Sequence, residues 1–350
     1  MSQIIGGEFS IDLRTISRKN DINIQNEGYL YSSGRAALFH ILSYIKKNMK
    51  EISSLMLPDY LCPSIIEIAS KFDFNLIYYP VSDTLEINET VFSSLYRRKS
   101  AVLLINYFGL VSLNKQIVFL NELDENICII EDNVQSFYSM LDISKADFCF
   151  TSFRKTLPLP DGALVKTIHK LPIPNGENTF AQYKIAGSIL KKMRNYKCIK
   201  DYVYLDLLEK GEKLINENLG KKISDFTLDL IPKIDLEQIK FLRKQNSIYL
   251  IEGLKTLGIE PLITVNENAV PLFIPIYLQN RDKIRNFLFD HQIYCPVHWK
   301  LDCNLSFLSK GVDLAEHELS LIIDQRYQIE DMDRILVTLQ KALYAFSSIK

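Results

Sequence analysis

"FTSFRKTLPLPDGALV", residues 150–165, is the stretch from which the rest of the chain is read. An apolar run ends in Thr151 and Ser152, presents Arg154 and Lys155, turns through two prolines and closes on Asp161-Gly162. A second apolar run follows at once. Two apolar runs joined by a short connection punctuated by Pro and Gly read as two strands and a turn. A lysine at a strand end is ordinarily a solvated charge, and Lys166 and Lys170 are expected to be that. Lys155 differs in its company, with Ser152 three residues before it and the rigid "PLPDG" turn after it.

Working outward, the flanking sequence alternates in the same style. "GYLYSSGRAALFHILSYIKKNMK" reads as a strand end, a turn and a helix, with Ala37, Leu38, Ile41, Leu42 and Ile45 at helical spacing. "SLMLP" is a short strand, "PSIIEIASKF" a helix and "NLIYYPV" a strand. "AVLLINYFG" and "ICIIED" are continuous apolar runs ending in polar residues, as strands buried on both faces do. Strands alternating with helices predict an α/β layered domain with a mainly parallel sheet. In such sheets ligands collect at the carboxyl ends of the strands.

The texture changes near residue 171. "YKIAGSILKKMRNYKCIKDYVYLDLLEKGEKL" is helical, and its cluster of Lys191, Lys192, Arg194, Lys197 and Lys200 is expected to be a solvated face. "DLEQIKFLRKQNSIYLIEGLKTLG" is a helix closed by Gly258. "AVPLFIPIYL" is a strand, and "EDMDRILVTLQKALYAF" a terminal helix. The expected organisation is a large α/β domain over residues 1–224 and a smaller α+β domain over 225–350.

Charge and cysteine usage exclude several classes. Forty-one basic and 42 acidic residues leave a net charge of -1, which gives no electrostatic case for nucleic acid or an anionic membrane. No apolar run reaches the length of a membrane span, and the opening residues lack the basic-then-apolar pattern of a secretion signal. Cys62, Cys128, Cys149, Cys198, Cys295 and Cys303 are scattered with no metal-ligand spacing, and three sit in apolar runs. A reducing cytoplasm and no metal are expected.

Three polar clusters fall at the ends of apolar runs. In "SSGRAAL", Gly34 and Arg35 stand where a helix begins, and a helix N-terminus accepts phosphate. In "IIEDNVQSF", Asp132 closes a buried strand and Gln135 follows three residues on. A carboxylate there suits a cationic nitrogen, although a strand-end aspartate also caps turns. The third cluster is Ser152 with Lys155. Together they supply a phosphate cradle, an acid for a pyridinium and an amine for a Schiff base, the protein parts that pyridoxal 5'-phosphate needs. The amine, once displaced by a substrate, can carry a proton between two carbons.

The chain resembles the DegT/StrS family of fold-type-I pyridoxal-phosphate enzymes, best known as sugar-nucleotide aminotransferases. "IGGEF" and "YSSGRAAL" are similar to its opening and phosphate-binding helix, "LPDYLCPSI" and "NYFG" to its next strand ends. "IIEDNVQSF" resembles its aspartate motif and "FTSFRKTLPLPDGALV" its lysine loop, while "VPLFIPI" and "IYCPVHW" resemble its small-domain strands. The resemblance implies that Asp132 pairs with the ring nitrogen and Gln135 touches the ring hydroxyl. It implies that Gly34, Arg35 and Ser152 hold the phosphate and Lys155 forms the imine. It further implies an amino-acid donor, often glutamate, a keto-sugar nucleotide acceptor, amino-sugar supply for surface polysaccharide or a secondary metabolite, and a homodimer.

The chain departs from the family in places. Lys155 follows Ser152 by three residues where the family has five, which reads as a two-residue deletion. The position of the aromatic that covers the ring holds Cys62, with Tyr60 as an alternative. The glycine-x-asparagine segment that reaches the partner's site is not recognisable after residue 171, and the lysine-rich segment 183–200 is its possible replacement. The segment holding His298 and Trp299 is one that can approach the active site in this fold, but the two residues are expected to pack rather than to act. The rival readings are a sugar dehydratase or lyase using the same cofactor, and a non-catalytic homologue that binds sugar nucleotide or a partner. The retained Lys155 favours transamination over dehydration.

Overall fold

Residues 101–105 and 128–130 are apolar runs without alternation, and every residue of the strands that hold them is buried, as a central strand requires. The computed structural model describes residues 4–16, 24–142, 144–194, 198–299 and 309–347. Along the first part of the chain lie β1 (Ile5–Gly6), β2 (Tyr29–Tyr31), α1 (Gly34–Asn48), β3 (Ser54–Pro58), α2 (Pro63–Ala69) and β4 (Asn75–Tyr79). They are followed by α3 (Glu89–Leu95), β5 (Ser100–Ile105), α4 (Asn114–Leu123), β6 (Cys128–Asp132), β7 (Phe148–Ser152), α5 (Phe153–Thr156) and β8 (Ala163–Thr167). The strands expected from "SLMLP", "NLIYYPV", "AVLLINYFG", "ICIIED" and the two apolar runs of "FTSFRKTLPLPDGALV" are all present.

Seven strands form one sheet in the order β2-β8-β7-β6-β5-β3-β4. The pairs β4–β3, β3–β5, β5–β6 and β6–β7 are parallel. Only β8 runs against its neighbours, pairing antiparallel with both β7 and β2. The reason is local: residues 153–162 are too few for the crossover of about a dozen residues that a parallel return needs. Because β8 reverses, β2 points the same way as β6 and β7. The start of α1 therefore meets the same sheet edge as Asp132 and Ser152.

The remaining elements are α6 (Phe180–Arg194), α7 (Asp201–Lys213), α8 (Asp225–Leu230), α9 (Leu236–Thr256), β9 (Phe273–Tyr277), α10 (Arg281–Asp290), β10 (Ile293–Tyr294), α11 (Ser309–His317), β11 (Glu318–Ile322) and α12 (Ile329–Ser347). A core of β9, the antiparallel β11 and helices α9, α10 and α12 holds Leu250, Ile274, Leu288, Leu319 and Leu339. Ile5 belongs to this cluster as well, because β1 pairs with β10 in parallel. Residues Ile231 to Ile239 instead pack with Phe137, Phe153 and Leu164 beside the large sheet.

The basic cluster on α6 is not simply a solvated face. The Lys191 amine donates to the carbonyls of Gly6 and Glu8, and Arg194 pairs with Asp201. Burial holds the Lys191 amine down at about 7. Lys197 lies outside the described residues, as does Cys303. Cys128, Cys149 and Cys295 are buried, and none of the described cysteines is in a disulfide. Among the described residues no helix is long and apolar enough to cross a membrane.

Candidate active site

The lysine loop is held at both ends. Gly162 adopts φ +102°, and a Cβ there would lie 2.6 Å from the Phe153 ring, so the position needs glycine. Its carbonyl accepts from the Phe153 amide (3.0 Å), and its own amide donates to the Ser32 carbonyl (2.7 Å). The preceding Asp161 is buried and accepts from the Ser224 amide and hydroxyl, the Thr227 hydroxyl and the Asn178 amide group. The turn read as rigid from "PLPDG" is thus pinned to residues 17, 63 and 66 positions further along the chain.

Between these anchors the loop makes the single turn α5. Ser152 stands at its N-cap, yet its hydroxyl makes no capping bond. Residues three apart share a helix face, so Ser152 and Lys155 are neighbours on that turn. Both line a cavity of about 110 Å³ at the carboxyl edge of the sheet. Gly34, Arg35, Asp132 and Gln135 line the same cavity. All six residues singled out in the sequence are therefore brought together.

Each has a specific setting. Ser33 caps α1 by accepting from the Ala36 amide (3.1 Å), which leaves the Gly34 and Arg35 amides among those a helix start leaves unpaired. A Cβ on Gly34 would stand 3.3 Å from Ser152 Cβ and 3.4 Å from Val134 Cγ2, so glycine keeps this pocket open. Asp132 is buried, accepts from the Val134 amide (2.8 Å) and has no ion-pair partner among the described residues. Burial pushes its carboxyl up to about 7. Gln135 accepts from the Phe108 amide through Oε1 (2.9 Å), which fixes the side chain and leaves its donor end free.

Lys155 keeps solvent contact through the cavity and makes no hydrogen bond or ion pair among the described residues. The surrounding protein mass, and then the Arg154 guanidinium, hold its ammonium below the ordinary lysine value. Arg154 itself is bound to Glu212, which also takes Arg35 (2.8 Å) and Lys184 (3.0 Å). Those three cations hold the Glu212 carboxyl far below the usual carboxylate range, against the opposing effect of burial. Glu212 lines the cavity, and nothing in "LEKGEKL" signalled it.

Two readings change. Cys62 lines the cavity, whereas Tyr60 is fully buried against Tyr107, with ring centroids 5.7 Å apart, so Cys62 and not Tyr60 stands at the cavity. Trp299, expected to be packing alone, stands in the cavity wall with its ring 5.2 Å from Tyr60. The neighbouring His298 donates its amide to Glu318 (2.7 Å) and its ring meets the Ser320 hydroxyl (2.9 Å). Spacing along the sequence does not place a residue 144 positions beyond the lysine in the same wall; only the family resemblance brought its segment near the site. Among the described residues no cluster of His, Cys, Asp and Glu suits a metal.

The fold is that of the pyridoxal-phosphate aminotransferases of fold type I. A putative sugar aminotransferase, Spr1654 from Streptococcus pneumoniae, solved in a PMP form, superposes with a TM-score of 0.66 at 15% identity, over 97% of this chain and 92% of that one. DesV of S. venezuelae, solved with a ketimine intermediate, gives 0.63 at 16% identity over 89% and 84%. NtdA from Bacillus subtilis with bound PMP gives 0.62 at 15% identity over 90% and 73%. No protein-family model and no curated protein matches the sequence.

Proposed function

We propose that this chain is a pyridoxal-phosphate-dependent aminotransferase that moves an amino group from an amino-acid donor, glutamate by preference, to a keto-sugar nucleotide. The observation that carries the reading is a single cavity holding an unpaired lysine amine, a buried carboxylate without a cation, and an open helix start. The cofactor, when bound, supplies an electron sink for the substrate amine. Asp132 would face its ring nitrogen, and the gain from pairing a buried carboxylate with that cation is large because the group is desolvated already. The free donor end of Gln135 suits the ring oxygen. Amides of Gly34 and Arg35 and the Ser152 hydroxyl suit the phosphate.

Lys155 would hold the aldehyde carbon covalently. Its lowered pKa raises the share of neutral, nucleophilic amine near pH 7. Once displaced, the same amine is placed to take a proton from one carbon and give it to another. Solved neighbours described as sugar aminotransferases, one of them in a PMP form, and a further neighbour with bound PMP support the assignment. The proposal extends to a cytoplasmic homodimer serving amino-sugar supply for surface polysaccharide.

The test is an absorption spectrum of the purified chain with pyridoxal phosphate, then borohydride reduction and peptide mapping. A yellow band trapped on Lys155 and bleached by glutamate supports the reading. A colourless chain with no reduced adduct refutes it.

A further inference from the structure

A second cavity, of about 480 Å³, adjoins the first, and Arg154, Lys155 and Glu212 line both. Its volume falls within the range of sites for ligands larger than an amino acid. Five cationic side chains and three anionic ones line it, so it favours an anion. Most of the cations are already committed. Arg154 is held by Glu212, and Arg326 by Asp324 at 2.7 Å. Arg243 is buried and donates to Gln325 and to the carbonyls of Pro271 and Leu272.

Arg285 is different. Its Nε donates to the Cys295 carbonyl (3.0 Å), and its guanidinium lies 4.4 Å from the Phe289 ring centroid. Among the described residues its two terminal nitrogens meet no protein acceptor, and no carboxylate stands within ion-pair distance. Half-buried, oriented at both its Nε and its π face, it presents a fixed fork of donors to a cavity. Such a fork matches a phosphate bidentately. Tyr294 adds aromatic wall to the same cavity, beside Phe9 and Phe289, whose rings already carry the Arg326 and Arg285 guanidiniums, and an aromatic face takes nucleobases of any kind.

We propose that Arg285 anchors the diphosphate of the nucleotide sugar, with the base against Tyr294 and the reacting sugar carbon directed to Lys155 where the two cavities meet. The assignment rests on the aminotransferase reading for its substrate class, but its test does not use turnover. The full chain is titrated by calorimetry with UDP and with dTDP, and separately with 2-oxoglutarate, as wild type and as Arg285→Gln.

The expected result is binding of at least one nucleotide, weakened about tenfold or more by Arg285→Gln, with 2-oxoglutarate unaffected. Equal nucleotide affinity in the variant, or no nucleotide binding by the wild type, overturns the proposal. Loss of 2-oxoglutarate binding instead overturns it in favour of a donor-carboxylate site. If Arg285→Gln does not fold, Arg285→Lys decides: it keeps the charge but not the fork, and wild-type affinity there overturns the forked contact. Borohydride trapping on Lys155 keeps the two readings apart. A chain that traps cofactor but binds no nucleotide loses only the anchor, and one that binds nucleotide through Arg285 but traps nothing loses only the aminotransferase reading.

Discussion

Replacing Asp132 by Asn should make the cofactor-free protein more stable at alkaline pH while impairing the chemistry. Asp132 is buried, its carboxyl is pushed up to about 7, and its ordinary value is 3.8. A group whose folded pKa lies above its unfolded one binds its proton more tightly in the native state. Stability therefore falls as pH rises from about 4 to about 7, because the unfolded chain ionises first. The difference of about three in pKa, at about 1.4 kcal/mol each, puts the full cost near 4 kcal/mol at pH 8. At pH 5 roughly 1.7 kcal/mol of that is already present, so the change between pH 5 and pH 8 is about 2–3 kcal/mol. Asn is close in shape and keeps the acceptor for the Val134 amide, but it cannot ionise. Denaturant unfolding of both proteins without cofactor, at pH 5 and pH 8, reads the double difference directly. A variant whose advantage does not grow between those pH values would falsify the assignment of a costly buried charge. Adding pyridoxal phosphate should reverse the order, since a ring cation gives the wild-type carboxylate its missing partner.

Two further outcomes follow from the same geometry. Gly34→Ala places a methyl 3.3 Å from Ser152 Cβ and 3.4 Å from Val134 Cγ2, inside the phosphate cradle. Fluorescence titration should show cofactor affinity down about tenfold, with unfolding free energy within about 1 kcal/mol of wild type, since Ala suits a helix better than Gly. Glu212→Gln leaves Arg35, Arg154 and Lys184 facing one another without their shared carboxylate. A loss on the order of 2 kcal/mol at pH 7 is expected, below the figure for a fully enclosed pair because Glu212 is 38% exposed. Its pKa is depressed in the folded state, so the stabilisation is present above the ordinary carboxylate value of 4.5 and fades as pH falls below it. A variant with unchanged acid sensitivity would remove Glu212 from that role.

The large sheet was legible because a buried strand needs an apolar run, and "AVLLINYFG", "ICIIED" and "DFCFTSF" announce themselves without any tertiary information. The carboxyl-end rule then placed Asp132 and Ser152 on one edge before any coordinates. Gly34 and Arg35 could be tied to that edge only by the direction of β2, which depends on the reversal of β8 after a short loop. The lysine loop was legible in its parts, since Pro, Asp and Gly dictate a turn. Its anchoring by Ser224 and Thr227 was not, because nothing local marks a hydroxyl as the partner of a carboxylate 63 or 66 residues away.

The sequence by itself determined the strand runs, the helix start at Gly34 and the residue types that suit a cofactor with an aldehyde, a cationic ring and a phosphate. Periodicity and turn chemistry act over a few residues and so can be read without a structure. Tertiary packing alone decided that Cys62 and Trp299, not Tyr60, stand at the cavity, that Glu212 binds three cations around it, and that Arg285 faces a second cavity without an acidic partner among the described residues. Those facts depend on which elements meet in space. A cavity wall shared by residues 57, 144 or 130 positions from Lys155 leaves no mark in local sequence.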